Sequence, residues 1–371
     1  MARPYTRVVG GTSTYSKAAR GLPDYPTRAK MGRGAWIDTD KGAMLDFTAG
    51  LGAIFLGYGA ESEAVRAQAD MLTAAALPTR LEEDTAKLLC KMTGWQQVRF
   101  CKNGSYATEA AVRLARFVTG RELVLTNSYH GSHSDLVCAT DGKAGGVMDS
   151  CAEKVWPCLA PADMLNKIVG LHDEVACILV EPMTPAQPKW PWVSIIRAAH
   201  KAGALVIFDE VITGFRMHPG PALAPPRPRP DLACYGKAIT NGMPLAALAG
   251  PRKLMHHLEQ DVFMSGTAAG ECLSLAACKD TLKQMQALGE AGYAGVRNRG
   301  RVLGTALTGL VRGYPTRWQL IPRSELDQLR SVLARRGVLV GNDFFVMAAH
   351  TGEDIKQACQ VIAEARKEVG I

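Results

Sequence analysis

No stretch of about 18 consecutive apolar residues occurs in the chain, so nothing in it reads as a membrane-spanning helix. The opening MARPYTRVVGG has no apolar core of the length a secretory leader needs, and the expectation is a soluble, cytoplasmic protein. Ten cysteines are present, but none falls in a CxxC pair or at a metal-ligand spacing, which suits reduced thiols and argues against a structural zinc site. Cys177, within ACILV, reads as a small core residue. Aromatics make up only 6% of the chain, and nothing resembles a zinc finger, a winged helix or an aromatic-rich RNA-binding strand.

What is present points to a globular α/β protein. Hydrophobic residues make up 47% and glycines number 37, a composition able to build a core. A length of 371 residues exceeds what one core usually holds, so a large and a smaller domain are expected. The net charge of +8 favours anionic ligands, whether a phosphate-bearing cofactor, an acidic substrate or a nucleic acid, although a merely basic surface accounts for it equally well.

The chain centres on ALVIFDEVITGFR, a Pro-rich insert, and PDLACYGKAITNGMPLAAL. An apolar strand closes on Asp209 and Glu210, and Lys237 follows among small residues. Sites in parallel sheets gather at the carboxyl ends of strands. A carboxylate and a lysine meeting there are the two groups that pyridoxal 5'-phosphate (PLP) requires, one at its pyridine nitrogen and one as its Schiff-base amine. Taken alone, the same two features also fit an ordinary strand end and a solvated turn.

The remaining pattern supplies more. Residues 1 to 35 read as an extended arm, with the hydroxyl-rich GGTSTYSKA inside it. AWIDTDKGAMLDF reads as a hairpin turning at Asp40, Lys41 and Gly42, and a Gly-rich loop then leads to a helix over 63 to 76 starting at Ser62. Helices and strands alternate from Thr85 onward, the signature of a parallel sheet. A helix from Thr85 to Thr93 precedes the strand VRFC, and the loop Asn103-Gly104-Ser105 opens a helix whose Ala110, Ala111, Leu114, Ala115 and Val118 share one face. Strand, Gly-Ser loop and helix N-terminus form an anion site or a plain N-cap. ELVLT ends at Tyr129 and His130, where an aromatic can stack on a flat ring. His130 and His133 lack a third ligand, which argues against a metal there. ACILV closes on Glu181. The insert 217 to 230 reads as an exposed polyproline-like loop, and DVFM at 261 to 264 as a short strand before an Ala-rich helix. Residues 1 to 60 and 281 to 371 are assigned to the small α+β domain, and 61 to 280 to the large one.

In this order, KNGSYATEAAVRLAR, YHGSHSD, VEPM, FDEVITGFR, PDLACYGKAITNGMPLAAL, FMSGTAAGECLSLAA and AAHTGEDI resemble the class III aminotransferases of PLP fold type I. The branch most similar contains glutamate-1-semialdehyde aminomutase and sugar-type aminotransferases, on KNGS…AT…AAVRLAR and the pair Gly270-Glu271. The resemblance runs over about residues 8 to 365. It implies a PLP-dependent aminotransferase or aminomutase in which Lys237 carries the cofactor and Asp209 keeps the pyridine nitrogen protonated. Tyr129 then stacks on one ring face and Val211 packs on the other. Gly104, Ser105 and the Tyr106 amide hold the phosphate, Glu181 lies near the ring hydroxyl, and Thr267 reaches the phosphate of a neighbouring subunit in a homodimer with shared sites.

Several stretches depart from the family pattern. Tyr106 stands where an acidic residue is usual, the hairpin carries Asp-Lys-Gly instead of Asp-Gly-Asn, FLGYGAES replaces the Leu-Gly-His plus Pro pattern, and the Pro/Arg insert occupies a segment that shapes the entrance. These departures and the +8 charge keep open a second expectation, a PLP-dependent decarboxylase or related enzyme acting on an amino-acid-modified nucleotide or nucleic-acid base. A PLP-holding regulatory paralogue is a third. Lys17, Arg20 and Arg216 are candidate clamps for a substrate carboxylate or phosphate.

Overall fold

A computed structural model describes residues 7–17, 21–139, 145–187, 189–223, 226 and 228–371. The chain divides into two compact units, one of Met1–Ala60 with Ala291–Ile371 and the other of Glu61–Glu290. The long helix Cys272–Ala306 leaves helical geometry at Gly289 (φ 58, ψ −178), beside that boundary.

The larger unit is built on a seven-stranded sheet, ordered Gln97–Cys101, Ala246–Gly250, Leu232–Tyr235, Leu205–Glu210, Val175–Val180, Leu123–Thr126, Val155–Pro157. Only Ala246–Gly250 runs antiparallel to its neighbours; the pairings from Leu232–Tyr235 to Val155–Pro157 are all parallel. Because that strand is antiparallel to both of its neighbours, Gln97–Cys101 points the same way as the parallel set. The mainly parallel α/β sheet expected from the alternating pattern is thus present.

Val175–Val180 is buried at every position, which is why it is apolar without alternation, as a strand covered on both faces must be. The helix Gly104–Thr119 packs Ala107, Ala110, Ala111 and Leu114 into the main core with Val124, Cys177, Ile207 and Leu248. Small alanines let this helix approach the sheet closely. Its start is set by Asn103, whose side chain accepts from the Tyr106 amide, and its end by Gly120 in the left-handed region.

The second unit holds the sheet Ala29–Arg33, Trp36–Thr39, Gly42–Asp46 and Val338–Leu339, and a three-stranded sheet of Val311–Tyr314, Arg317–Leu320 and Asp343–Phe345. The expected hairpin is Trp36–Thr39 paired with Gly42–Asp46, turning at Asp40 and Lys41. The final helix, Gly352–Val369, starts with a capping box between Thr351 and Asp354. No helix among the described residues is long and apolar enough to cross a membrane.

Three local expectations need correction. The helix from Ser62 stops at Ala69, and the alanines after it are exposed. The helix expected from Thr85 starts a turn earlier, at Arg80, because Thr79 caps it by accepting from the Glu82 amide. No strand forms at 261 to 264 among the described residues; the carbonyls of Phe263 and Met264 accept instead from Arg113 and Arg99. The described part of the Pro-rich insert is a loop, exposed at Pro226 and Arg229 as expected but anchored at two points. Ala222 is buried with its amide on the Glu210 carboxylate, and the Arg229 guanidinium lies 4.7 Å from the centre of the Trp95 ring.

Candidate active site

Within the 61–290 unit, five strands deliver chemically able residues to one sheet edge. Gln97–Cys101 runs into Asn103-Gly104-Ser105, Leu123–Thr126 into Ser128-Tyr129-His130, and Val175–Val180 into Glu181. Leu205–Glu210 carries Asp209 near its end, and Leu232–Tyr235 leads to Lys237. Parallel direction alone places these termini on the same edge.

Asp209 is 8% exposed, and both of its oxygens are engaged. The Val211 amide donates to Oδ1 at 3.0 Å, and His130 Nδ1 lies 2.8 Å from Oδ2. His130 is fully enclosed at its side chain, its Nε2 lies 3.3 Å from Ser128 Oγ, and its backbone carbonyl accepts from Thr108 Oγ1 at 2.6 Å. The imidazole is thereby fixed from both ends, and the carboxylate it meets keeps one orientation. A buried carboxylate so held still has lone pairs for one more donor. The effect on its surroundings is visible at Cys234, opposite Asp209 in the next strand, whose thiol is pushed well above its usual range by burial first and by the Asp209 charge second.

Val211 joins three of the converging segments. A Cβ on Gly104 would fall 2.7 Å from Val211 Cγ1, and one on Gly236, just before Lys237, 3.4 Å from the same atom. The Gly104 turn, the end of the Asp209 strand and the lysine turn therefore lie against one isopropyl group. A Cβ on Gly131 would sit 2.9 Å from Ser105 Cα, and Ser105 Oγ accepts from the Ser132 amide at 3.1 Å, so the Gly104 turn is fixed against the loop after His130 as well.

Gly104, Ser105, Val211, Asp209 and the turn of Lys237 are brought together as described. Tyr129 is 56% exposed, at the edge where the strands end. Glu181 is buried, with its backbone amide and carbonyl both paired to the Asn127 side chain at 2.9 and 3.0 Å. The Tyr106 amide is committed to Asn103 Oδ1 at 2.8 Å, and its hydroxyl pairs with the Ser265 carbonyl and amide at 2.9 and 3.0 Å. Thr267 is exposed in the turn just beyond, and Lys102 meets Glu271 at 2.7 Å, with burial first raising the Glu271 carboxyl and the Lys102 and Ser274 contacts bringing it below its usual range. Of the candidate clamps, Lys17 is exposed on a short helical turn in the other unit, Arg216 is fully buried in the 61–290 unit, and Arg20 lies outside the described residues. The sequence placed His130 at the ligand-binding edge of the sheet but did not reveal it as the partner of Asp209. No group of three metal-binding side chains occurs among the described residues.

Comparison with known proteins places the chain in a family. A family profile described as aminotransferase class-III matches residues 18–316. The chain is 33% identical over 300 residues to a glutamate-1-semialdehyde 2,1-aminomutase of Chloroflexus aggregans, covering 74% of this chain and 68% of that protein. It is 30% identical over 335 residues to the protein of the same name from Methanothermobacter thermautotrophicus, covering 85% and 79%. Among solved structures, an omega-transaminase from Sphaerobacter thermophilus superposes with a TM-score of 0.86 at 22% identity over 97% of this chain and 94% of that one, which shows a shared fold. With the profile spanning most of the chain and these relatives alongside it, the chain belongs to the class III aminotransferases.

Proposed function

We propose that this protein is a PLP-dependent aminotransferase or aminomutase acting on an amino and a keto or aldehyde substrate, with Lys237 as the lysine that carries the cofactor. The observation that supports it most is the convergence on Val211 of the Gly104 turn, the buried Asp209 strand end and the lysine turn. The residues fit the cofactor. Gly104 leaves no room for a Cβ on its Val211 side and opens a helix, where unpaired amides favour a phosphate. Asp209 is a buried acceptor suited to a protonated ring nitrogen.

When bound, PLP supplies an electron sink for the pair left at the substrate carbon. The chain's own groups do the rest. Gly104 and Ser105 would hold the phosphate, Asp209, kept oriented by His130, would hold the proton on the ring nitrogen, Tyr129 and Val211 would pack on the ring faces, and Glu181 would lie near the ring hydroxyl. Lys237 Nζ would be the group that moves the proton at the substrate carbon. We further assign a cytoplasmic homodimer in which Thr267 completes the phosphate site of the partner subunit. Ten cysteines without a disulfide framework support that compartment.

The test is a visible spectrum of the PLP-loaded protein during addition of a panel of amino acids and amines. Conversion to pyridoxamine phosphate with one donor is the expected result and identifies the donor. A spectral change without pyridoxamine phosphate would move the decarboxylase reading ahead. A spectrum unchanged by Lys237→Ala would reject the assignment of the lysine.

A further inference from the structure

Lys237 sits at φ 48, in the left-handed region that a residue with a Cβ occupies only under constraint, and the turn it opens, Lys237–Thr240, closes at Asn241, also left-handed at φ 50. Such a turn persists when its surroundings over-determine it. Part of that constraint is internal, since Thr240 Oγ1 lies 3.1 Å from the Lys237 carbonyl and 2.5 Å from that of Met243. Part comes from far away in sequence. Asn241 is fully buried, and its Nδ2 donates to Glu61 Oε2 at 2.7 Å, a separation in the range of charge-assisted bonds. Glu61 precedes the helix Ser62–Ala69 at its N-cap position, yet its side chain caps none of that helix's amides. Its carboxylate is turned instead to the lysine turn. Glu61 also falls in FLGYGAES, one of the stretches that departs from the family pattern, so nothing in the proposed chemistry has called on it.

We propose that Glu61 is a positioning residue for Lys237, its carboxylate acting through Asn241 to hold the left-handed lysine turn in the conformation that presents the amine. The proposal rests on the reading of Lys237 as the cofactor-bearing lysine. Glu61 touches neither cofactor nor substrate in this role. Removing it leaves the buried Asn241 amide without its charged acceptor and lets the turn relax toward ordinary backbone angles.

Wild type, Glu61→Ala, Glu61→Gln and Asn241→Gly are compared. Hydrogen–deuterium exchange across residues 236–245 is measured on the apoprotein, and the pH midpoint of the visible absorbance on the PLP-loaded protein. Glycine accepts φ 50 freely, so Asn241→Gly removes the clasp without adding strain. Both Glu61→Ala and Asn241→Gly are expected to speed exchange across the turn about tenfold and to move the absorbance midpoint, with kcat falling more than KM changes. Glu61→Gln keeps an oxygen that accepts from Asn241 but loses the charge, and is expected to fall between wild type and Glu61→Ala in both readings. Unchanged exchange in Glu61→Ala, or faster exchange with an unmoved midpoint, overturns the proposal. If Glu61→Ala does not fold, Asn241→Gly decides by the same two readings. Borohydride trapping with peptide mapping in the wild type keeps the two readings apart. If PLP is not found on Lys237, the functional assignment falls, while the exchange pattern still decides whether Glu61 holds the turn.

Discussion

Replacing Gly104 by alanine tests whether the segments of the site really close on Val211. Gly104 is the first residue of the helix Gly104–Thr119 and has no positive φ, so on backbone grounds alone alanine would stabilise by under about 1 kcal/mol. The space decides otherwise. The new Cβ would lie 2.7 and 2.8 Å from Val211 Cγ1 and Cγ2, closer than carbon atoms approach without displacement. Valine is stiff about χ1, and its own amide is tied to Asp209 Oδ1, so it cannot swing aside cheaply. Overpacking of this kind costs about 1–3 kcal/mol, which after the backbone gain leaves a net loss of roughly 1–2 kcal/mol. For a unit the size of Glu61–Glu290 that corresponds to a melting temperature lower by roughly 2–8 °C. The displaced turn is also the proposed phosphate site, so PLP affinity should fall with it. Melting of the apoprotein and an absorbance titration with PLP measure the two effects. Val211→Ala removes both opposing methyl groups, so Gly104→Ala in that background should cost less than in wild type. If Gly104→Ala melts at or above wild type and binds PLP unchanged, or if the Val211→Ala background gives no relief, the contact does not govern the site.

Other perturbations follow from the same geometry. Asp209→Ala leaves the fully enclosed His130 without its hydrogen-bond partner and should destabilise the protein by about 1–3 kcal/mol, read by urea unfolding, and should abolish turnover; retained activity would refute the assigned role. Tyr106→Phe removes the hydroxyl that pairs with both backbone groups of Ser265, costing about 1 kcal/mol, and hydrogen exchange should accelerate at 263–267 and not at the sheet. In the other unit, burial holds the His350 imidazole neutral, with its pKa lowered from 6.5 to about 4. The unfolded chain therefore takes up a proton that the folded one refuses between those values. His350 favours folding in full above pH 6.5, and this contribution falls by about 3 kcal/mol as pH drops to 4. His350→Phe should flatten that part of the urea-unfolding profile, and an unchanged slope would rule the histidine out as its source.

The alternation of apolar strands and amphipathic helices was readable because each strand buried on both faces is written as an unbroken apolar run, as in VACILV. Asp209 was legible as a carboxylate closing such a strand, while Lys237 drew notice only as a lysine among small residues, and neither was specific without the motifs around it. What could not be read is whatever depends on which distant residue a side chain meets. His130 lies 79 residues from Asp209, and Glu61 lies 180 from Asn241. No local pattern records either pairing.

The missing strand at 261–264 has a related cause. DVFM carries β-forming residues, but a strand needs a neighbour for its backbone, and here the carbonyls of Phe263, Met264 and Ser265 are taken by Arg113, Arg99 and Tyr106. Two of these side chains lie on the helix Gly104–Thr119 and the third on the strand before it. The segment carrying Thr267 is thus tied to the same strand–turn–helix that holds Gly104 and Ser105. Tyr106 supplies one of those ties and also accepts from the Ser265 amide. A neutral hydroxyl thus holds this segment through both backbone groups of Ser265, which is why Tyr106→Phe should loosen residues 263–267 without disturbing the sheet.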